Sequence, residues 1–344
     1  MFLAAYIFAG AFTLAGCIFG RQIGTALGVM DLPDGRRKLH AAPTPLVAGV
    51  AVMIPVVAMG LVLSQTSIWE PLYLAISGVS AFFVALGHVD DRSHIRALYR
   101  LLLSALVVGS ALWAVPGLTV RVLSFSFSDQ SSPIFLGSIG GAAFSVLCLV
   151  GLQNAANMAD GKNGLVIGMS LIWILLLFAY TPAHMDPLLI VLAIGLVVAL
   201  TFNLAGKVFL GDAGTYGLSV TIGMIALYSY NVDFVGFPAD AVALMFLVPV
   251  VDTLRLIVLR TFRGRSPFSP DRDHLHHVLL ALMPWHWALT TYLALVAVPS
   301  LVARYNVDWT GSLAIGTLTI YAILIAQKYR PIGVAASKPG SSST

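Results

Sequence analysis

The chain has 344 residues, of which 58% are hydrophobic and only 10% are charged, and its mean hydropathy is +0.91. Soluble domains carry about a quarter charged residues, so this composition excludes an ordinary soluble protein and indicates that lipid is the main solvent. The net charge of +4 does not require a nucleic-acid partner, because the basic residues follow a membrane topology.

Apolar stretches that are long enough to cross a bilayer recur along the whole chain. We therefore predict an all-α, polytopic membrane protein with about eleven transmembrane helices. No hydrophilic segment is long enough for a separate soluble domain, so residues 1–327 are expected to form one transmembrane domain and residues 328–344 a disordered tail. The predicted helices cover residues 1–20, 46–64, 71–88, 98–116, 138–154, 164–181, 186–203, 214–231, 236–256, 285–303 and 308–327.

The distribution of Lys and Arg predicts the orientation of these helices. If the N-terminus is outside, 17 of the 19 basic residues fall on the inner side, and only Arg121 and Arg304 fall outside. The positive-inside rule then predicts an N-out, C-in topology. The basic residues can also attract anionic lipid headgroups, which accounts for the net charge without nucleic acid.

Four loops on the predicted inner side carry polar residues that are costly near a membrane. Carboxylate and amide oxygens are the ligands that Mg²⁺ prefers, and Mg²⁺ leaves positions for substrate phosphates. Arg and His side chains can hold the other phosphate oxygens. The combination predicts metal-assisted phosphoryl transfer at the membrane surface. The four clusters are His88–Arg92, Asn154–Gly164, Phe209–Thr215 and Gly264–His277.

Each cluster has a simpler interpretation when it is taken alone. Asp90-Asp91 could cap a loop, residues 154–160 could be the polar end of a helix, and residues 211–214 could be a turn. Residues 274–277 contain three histidines and could mark a zinc site, but no fourth ligand has a matching spacing. Their occurrence together on one side of the membrane favours a functional site.

The motifs resemble those of the polyprenyl-phosphate N-acetylhexosamine-1-phosphate transferase family, over nearly the whole chain. The last motif is especially similar to the branch that acts with undecaprenyl phosphate and GlcNAc-1-phosphate. The matching segments, in chain order, are Arg37–His40 with Pro43–Pro45, Leu86–Asp91, Asn154–Leu165, Val208–Gly214 and Gly264–His277.

The resemblance implies a function. The chain would transfer N-acetylhexosamine-1-phosphate, with GlcNAc-1-phosphate expected, from a UDP-sugar to undecaprenyl phosphate. The products would be undecaprenyl-diphosphate-sugar and UMP, and the reaction would initiate a cell-envelope glycan such as the lipopolysaccharide O-antigen. The expected setting is the bacterial cytoplasmic (inner) membrane, with the active site facing the cytoplasm and Mg²⁺, or Mn²⁺ in its place, as cofactor. The sugar, the glycan pathway and the formation of a homodimer stay open.

The resemblance also implies roles for residues at matching positions. Asp212 and Asn157 would coordinate Mg²⁺, while Asp90 and Asp91 would act at the acceptor phosphate, either as a base or as organisers. Asp160 is counted with these catalytic residues and would also line the uridine-nucleotide pocket. The other expected substrate-binding residues are Asn154, Lys162, Asn163, Phe209, Arg265, His274, His276 and His277.

Two of these positions depart from the family pattern. Many relatives carry Asp where this chain has Asn163, and an apolar residue is common where it has Lys162. Both changes could alter the contacts with the nucleotide or the preference for the sugar, but neither removes an expected metal ligand.

A transporter or lipid flippase without phosphotransfer chemistry is the main alternative. Such a protein would carry ionisable residues near the middle of its spans, and many transporters contain internal repeats. Here the span interiors are almost free of charge and no internal repeat is evident. A prenyltransferase would need two Asp-rich motifs, and a structural scaffold would not need four polar clusters on one side.

Overall fold

The computed structural model describes residues 2–33, 42–127, 133–269 and 271–328. Within these ranges the chain forms thirteen α-helices and two short pairs of antiparallel strands. The strands are β1 (Met30–Asp31) with β2 (Thr44–Pro45), and β3 (Val122–Leu123) with β4 (Ile134–Phe135). The helices are α1 (Phe2–Ile18), α2 (Gly20–Leu27), α3 (Ala48–Thr66), α4 (Glu70–Ser93), α5 (Ala97–Ala114), α6 (Gly137–Ala159), α7 (Leu165–Leu177), α8 (Asp186–Leu204), α9 (Gly211–Val232), α10 (Ala239–Phe262), α11 (Leu275–Leu282), α12 (Trp285–Tyr305) and α13 (Thr310–Gln327).

The length and composition of the helices make the chain a polytopic membrane protein of the all-α class. Eight helices in the described part are long and apolar enough to cross a membrane, or up to nine if α1 and α2, which meet at 73°, form one broken span. Each of the eleven predicted spans coincides with a helix. However, neither α7 nor α9 is among the eight, and α7 has only 13 residues, fewer than the roughly 20 that a bilayer requires. The count of eleven spans therefore stays a prediction.

Helix α9 lies at the centre of the bundle and is buried along nearly its whole length. It packs against α3, α4, α6 and α7. Glycines allow its first turn to lie very close to two neighbours: a Cβ on Gly214 would stand 2.6 Å from the Cα of Gly49 in α3, and a Cβ on Gly87 in α4 would overlap the carbonyl oxygen of Asp212. The N-terminus of α9 is therefore held firmly between α3 and α4.

The segment before α9 is tied to the start of α3 by backbone hydrogen bonds. The amide of Phe209 donates to the carbonyl of Pro45 at 2.9 Å, and the amide of Ala48 donates to the carbonyl of Phe209 at 3.1 Å. These bonds place Phe209 beside the loop that follows β2. The predicted Arg37–His40 motif and residues 329–344 of the predicted tail lie outside the described residues.

Candidate active site

Asp91 caps the N-terminus of α9 from the end of α4. Its Oδ1 accepts a hydrogen bond from the amide of Asp212 at 2.8 Å, and its Oδ2 accepts one from the amide of Ala213 at 3.2 Å. A carboxylate is stabilised there by the free N–H groups and by the helix dipole. The preceding residue, Gly211, has φ +73°, and a Cβ on it would lie 2.7 Å from Oδ2 of Asp91. The cap therefore requires glycine at this position.

Asp90, the other member of the pair, is buried, and both of its carboxylate oxygens accept hydrogen bonds. Its Oδ2 accepts hydrogen bonds from Nη1 of Arg100 at 2.8 Å and from the hydroxyl of Tyr216 at 2.6 Å, and its Oδ1 accepts one from the amide of Ile95 at 2.7 Å. These contacts join α4, α5 and α9. No motif indicated Arg100 or Tyr216 as partners of this carboxylate, since ten and 126 residues separate them from it.

Asn157 and Asp212 meet between α6 and α9. Nδ2 of Asn157 donates to Oδ1 of Asp212 at 2.5 Å and lies 3.4 Å from Oγ1 of Thr215. The helices therefore bring together the amide and the carboxylate that were expected to coordinate a metal ion. Among the residues that the structure describes, no group of three His, Cys, Asp or Glu side chains forms a metal site by itself.

Asp160 follows directly after the last turn of α6. Its side chain is accessible to solvent although protein surrounds it on most sides. The surrounding protein and the charge of Asp212 raise the pKa of Asp160 to about 7. Asp160 and Asp212 also interact electrostatically with Asp91. Three carboxylates in one cleft repel one another, and a bound cation would relieve this repulsion.

The loop after Asp160 is held by two side chains from distant helices. Asn203 of α8 accepts a hydrogen bond from the amide of Gly164 at 2.6 Å and donates one to the carbonyl of Val208 at 3.0 Å. Nε1 of Trp285 donates to the carbonyl of Asn163 at 3.0 Å. Asn203 therefore ties the loop that carries Lys162 and Asn163 to the segment that carries Phe209, a role that no motif indicated.

The three histidines line up against this loop. The rings of His274 and His276 are stacked with centroids 5.6 Å apart, and the ring of His277 lies 4.2 Å from that of His276. A Cβ on Gly161 would overlap Nε2 of His276, so the buried His276 ring lies directly against the loop. Burial and the neighbouring imidazoles lower the pKa of His276 to about 3, which leaves it neutral. Neither of its ring nitrogens has a hydrogen-bond partner in the described part of the protein.

The remaining predicted residues are Asn154, Arg265 and Lys162. Nδ2 of Asn154 donates to the carbonyl of Val150 in its own helix at 2.7 Å. Arg265 is exposed on the loop after α10, and this loop is anchored by the buried Arg260, whose Nε donates to Oδ2 of Asp271 at 2.7 Å. Lys162 interacts electrostatically with His276 and His277. Together with His274 these two residues are called the histidine row.

The fold is that of a multi-pass membrane protein, and comparison with known proteins identifies it as a transferase. A family model described as glycosyl transferase family 4 matches residues 73–230. This range contains Asp90, Asp91, Asn157, Asp160 and Asp212. The chain belongs to this family.

The relatives of this chain have specific names. A Yersinia pestis protein, undecaprenyl-phosphate alpha-N-acetylglucosaminyl 1-phosphate transferase, is 32% identical over 286 residues, which cover 80% of this chain and 75% of the relative. A Bacillus subtilis protein, a probable undecaprenyl-phosphate N-acetylglucosaminyl 1-phosphate transferase, is 26% identical over 89% of this chain and 86% of its own length. The decaprenyl-phosphate N-acetylglucosaminephosphotransferase of Mycobacterium tuberculosis is 29% identical over 76% of this chain and 71% of its own length.

Proposed function

We propose that this protein transfers GlcNAc-1-phosphate from UDP-GlcNAc to undecaprenyl phosphate and releases UMP. The observation that carries the proposal is the meeting of Asp91, Asn157 and Asp212 around the N-terminus of α9, with the solvent-accessible Asp160 close enough to interact electrostatically with Asp91 and Asp212. The names of the relatives support the sugar phosphate and the polyprenyl acceptor.

The donor set fits Mg²⁺. Asp212 offers a carboxylate oxygen, and a half-turn of the Asn157 amide would present its Oδ1 at the same place. Two such ligands suit an ion that takes one or two protein carboxylates and fills its other positions with water and substrate phosphates. When it is bound, the ion would neutralise the charge of the donor diphosphate.

The loop beyond Asp160 is suited to the nucleotide sugar. Lys162 supplies a positive charge, and the buried His276 ring supports the loop at Gly161. We infer that Lys162, Asn163, Phe209 and the histidine row hold the donor, with its diphosphate directed to Asp212. The exposed Arg265 would reach the donor from the loop above.

The transfer itself needs few proton movements. An oxygen of the acceptor phosphate forms a bond to the phosphorus that carries the sugar, and the bond from this phosphorus to the oxygen of UMP breaks. The second pKa of a phosphate monoester is about 6, so the nucleophile is already mostly ionised near neutral pH. Asp90, with its three donors, is an anchor for the acceptor side of the site, and Asp91 orients the first turn of α9.

The basic residues support the proposed orientation. With 17 of 19 Lys and Arg residues on one side, we place the N-terminus outside, the C-terminus inside and the carboxylate cleft on the cytoplasmic face of the bacterial inner membrane. This places the site where nucleotide sugars are made and where a lipid phosphate lies in the headgroup layer.

The test is UMP release by the detergent-purified protein, supplied with undecaprenyl phosphate, Mg²⁺ and a panel of UDP-sugars. We expect release that requires both the lipid and the metal, that stops on addition of EDTA, and that is fastest with UDP-GlcNAc. If another UDP-sugar gives the fastest UMP release, that sugar replaces GlcNAc in the proposal. Folded protein that releases no UMP with any donor would overturn the proposal in favour of a transporter.

A further inference from the structure

Asp252 is a buried carboxylate within α10, one of the apolar helices long enough to cross a membrane. It is only 3% exposed, so it needs hydrogen bonds to offset the cost of burying its charge. It accepts them from Nη2 of Arg255 at 2.9 Å, from the hydroxyl of Tyr321 at 2.8 Å, from Nδ1 of His274 at 2.8 Å, and from the amide of Leu275. Neither sequence motifs nor the family match, which ends at residue 230, includes it.

The partners of Asp252 also bind one another. Nε of Arg255 donates to the hydroxyl of Tyr321 at 2.6 Å, and its Nη2 donates to the carbonyl of Asp273 at 2.5 Å. Arg255, Tyr321 and Asp252 thus form a closed ring that joins α10 to α13 and to the start of α11. A hydrogen-bonded network of this kind restrains its members to one arrangement.

The ring determines how His274 is presented. A carboxylate can only accept, so the proton of the imidazole is on Nδ1, and Nε2 is the nitrogen left for another partner. His274 is stacked on His276 at 5.6 Å, and His276 lies against Gly161, next to Asp160. A continuous series of contacts therefore connects Tyr321 in α13 with Gly161, the neighbour of Asp160.

We propose that Asp252 is a positioning residue for the donor nucleotide sugar. With Arg255 and Tyr321 it holds His274 in one tautomer and one orientation, and through the stacked rings it fixes the histidine row against the loop that carries Asp160 and Lys162. The proposal rests on the proposed transferase function and deepens it, because it assigns a donor-side role to residues outside the matched family region.

The test measures kcat and KM for both substrates in Asp252→Asn. The amide cannot accept all the hydrogen bonds of the carboxylate, so His274 loses its fixed tautomer. Removing the hydrogen-bond partner of a metal-bound histidine typically costs about 10–100-fold, and by analogy we expect KM for UDP-GlcNAc to rise about 10-fold. The KM for undecaprenyl phosphate stays the same. Asp240→Asn is the matched control: it lies in the same helix, and its carboxylate binds Ser126 at the other end. Its donor KM stays at the wild-type value.

A double-mutant cycle separates positioning from mere stability. If Asp252 acts through His274, Asp252→Asn adds nothing to the donor KM of His274→Gln. Tyr321→Phe, which keeps the carboxylate and its other partners, provides a second cycle if Asp252→Asn does not fold. It raises the donor KM about threefold in the wild-type background and not at all in His274→Gln. Additive effects, or a lower Tm with unchanged KM values, overturn the inference. An inactive wild-type protein overturns the transferase function instead.

Discussion

The carboxylate of Asp91 sits over the first turn of α9, with Oδ1 2.8 Å from the backbone nitrogen of Asp212. Asp91 thus holds the first turn of α9, which carries Asp212, in place. The side chain of Asp212 extends from this turn toward Asn157. The free N–H groups and the helix dipole offset part of the repulsion between the two carboxylates.

Gly211→Ala tests this geometry directly. Alanine at φ +73° is strained by about 1–2 kcal/mol, and its Cβ would press on Oδ2 of Asp91. We expect a lower Tm and a loss of turnover, because Asp212 shifts with the first turn of α9. Gly151→Ala is the control, since no atom lies within 4 Å of a Cβ there and alanine favours a helix. Equal Tm and turnover in the two variants would contradict the role of Gly211 in the cap by Asp91.

Asp212→Asn tests the proposed metal ligand. The amide keeps the shape of the side chain but loses the charge that would attract Mg²⁺, so we expect UMP release to fall at least about 100-fold. The protein should still elute as a folded species, because the cap at Asp91 uses the backbone amide of residue 212. Asp308→Asn, on an exposed segment after α12, should stay active. Near-normal turnover of Asp212→Asn at every Mg²⁺ concentration would show that Asp212 is not a metal ligand.

The helices themselves were predictable from hydropathy, because a bilayer demands long apolar segments whatever their neighbours are. Hydropathy does not distinguish lipid from protein as the apolar surroundings. It therefore did not indicate that α9 is enclosed on all sides, that α2 bends away from α1 by 73°, or that α7 is short. Those features depend on packing between segments that are distant in the chain.

The cleft was predictable only in part, for the same reason. The motifs located Asp91, Asn157 and Asp212, and the structure brings them together. The residues that hold the site in place, Tyr216, Asn203 and Asp252, were not predicted, because a single polar residue in an apolar helix forms no motif. Tyr216 is 126 residues from Asp90, and Tyr321 is 69 residues from Asp252. Such partnerships arise from the tertiary fold.

Tyr216→Phe tests whether Asp90 is an anchor or a general base. The variant removes the 2.6 Å hydrogen bond to Oδ2 of Asp90 but keeps Arg100. A hydrogen bond to a charged group contributes about 1.5–3 kcal/mol, so we expect a lower free energy of unfolding. Since an anchor does not exchange protons with the substrate, the profile of kcat against pH should keep its shape. A shift of the acid limb in Tyr216→Phe would instead identify Asp90 as the base.

The buried, neutral His276 should make the protein sensitive to acid. In the unfolded chain a histidine titrates near 6.5, whereas His276 in the folded protein has a pKa of about 3. Below about pH 6.5 the unfolded state therefore binds more protons than the folded state, and the free energy of unfolding falls by up to about 1.4 kcal/mol per pH unit from this group. The raised pKa of Asp160 acts in the opposite direction between about 4 and 7, because the folded state then binds the extra proton.

The two contributions separate when wild type and His276→Gln are compared, since Asp160 is common to both. Denaturant titrations in detergent at about pH 7.5, 6 and 5 give the free energy of unfolding of each. Glutamine does not titrate, so we expect the stability of His276→Gln to fall less, relative to its own value at high pH, than that of wild type. His286→Gln, at an exposed histidine, should follow wild type. Parallel losses in wild type and His276→Gln would show that His276 is protonated in the folded state or is not buried.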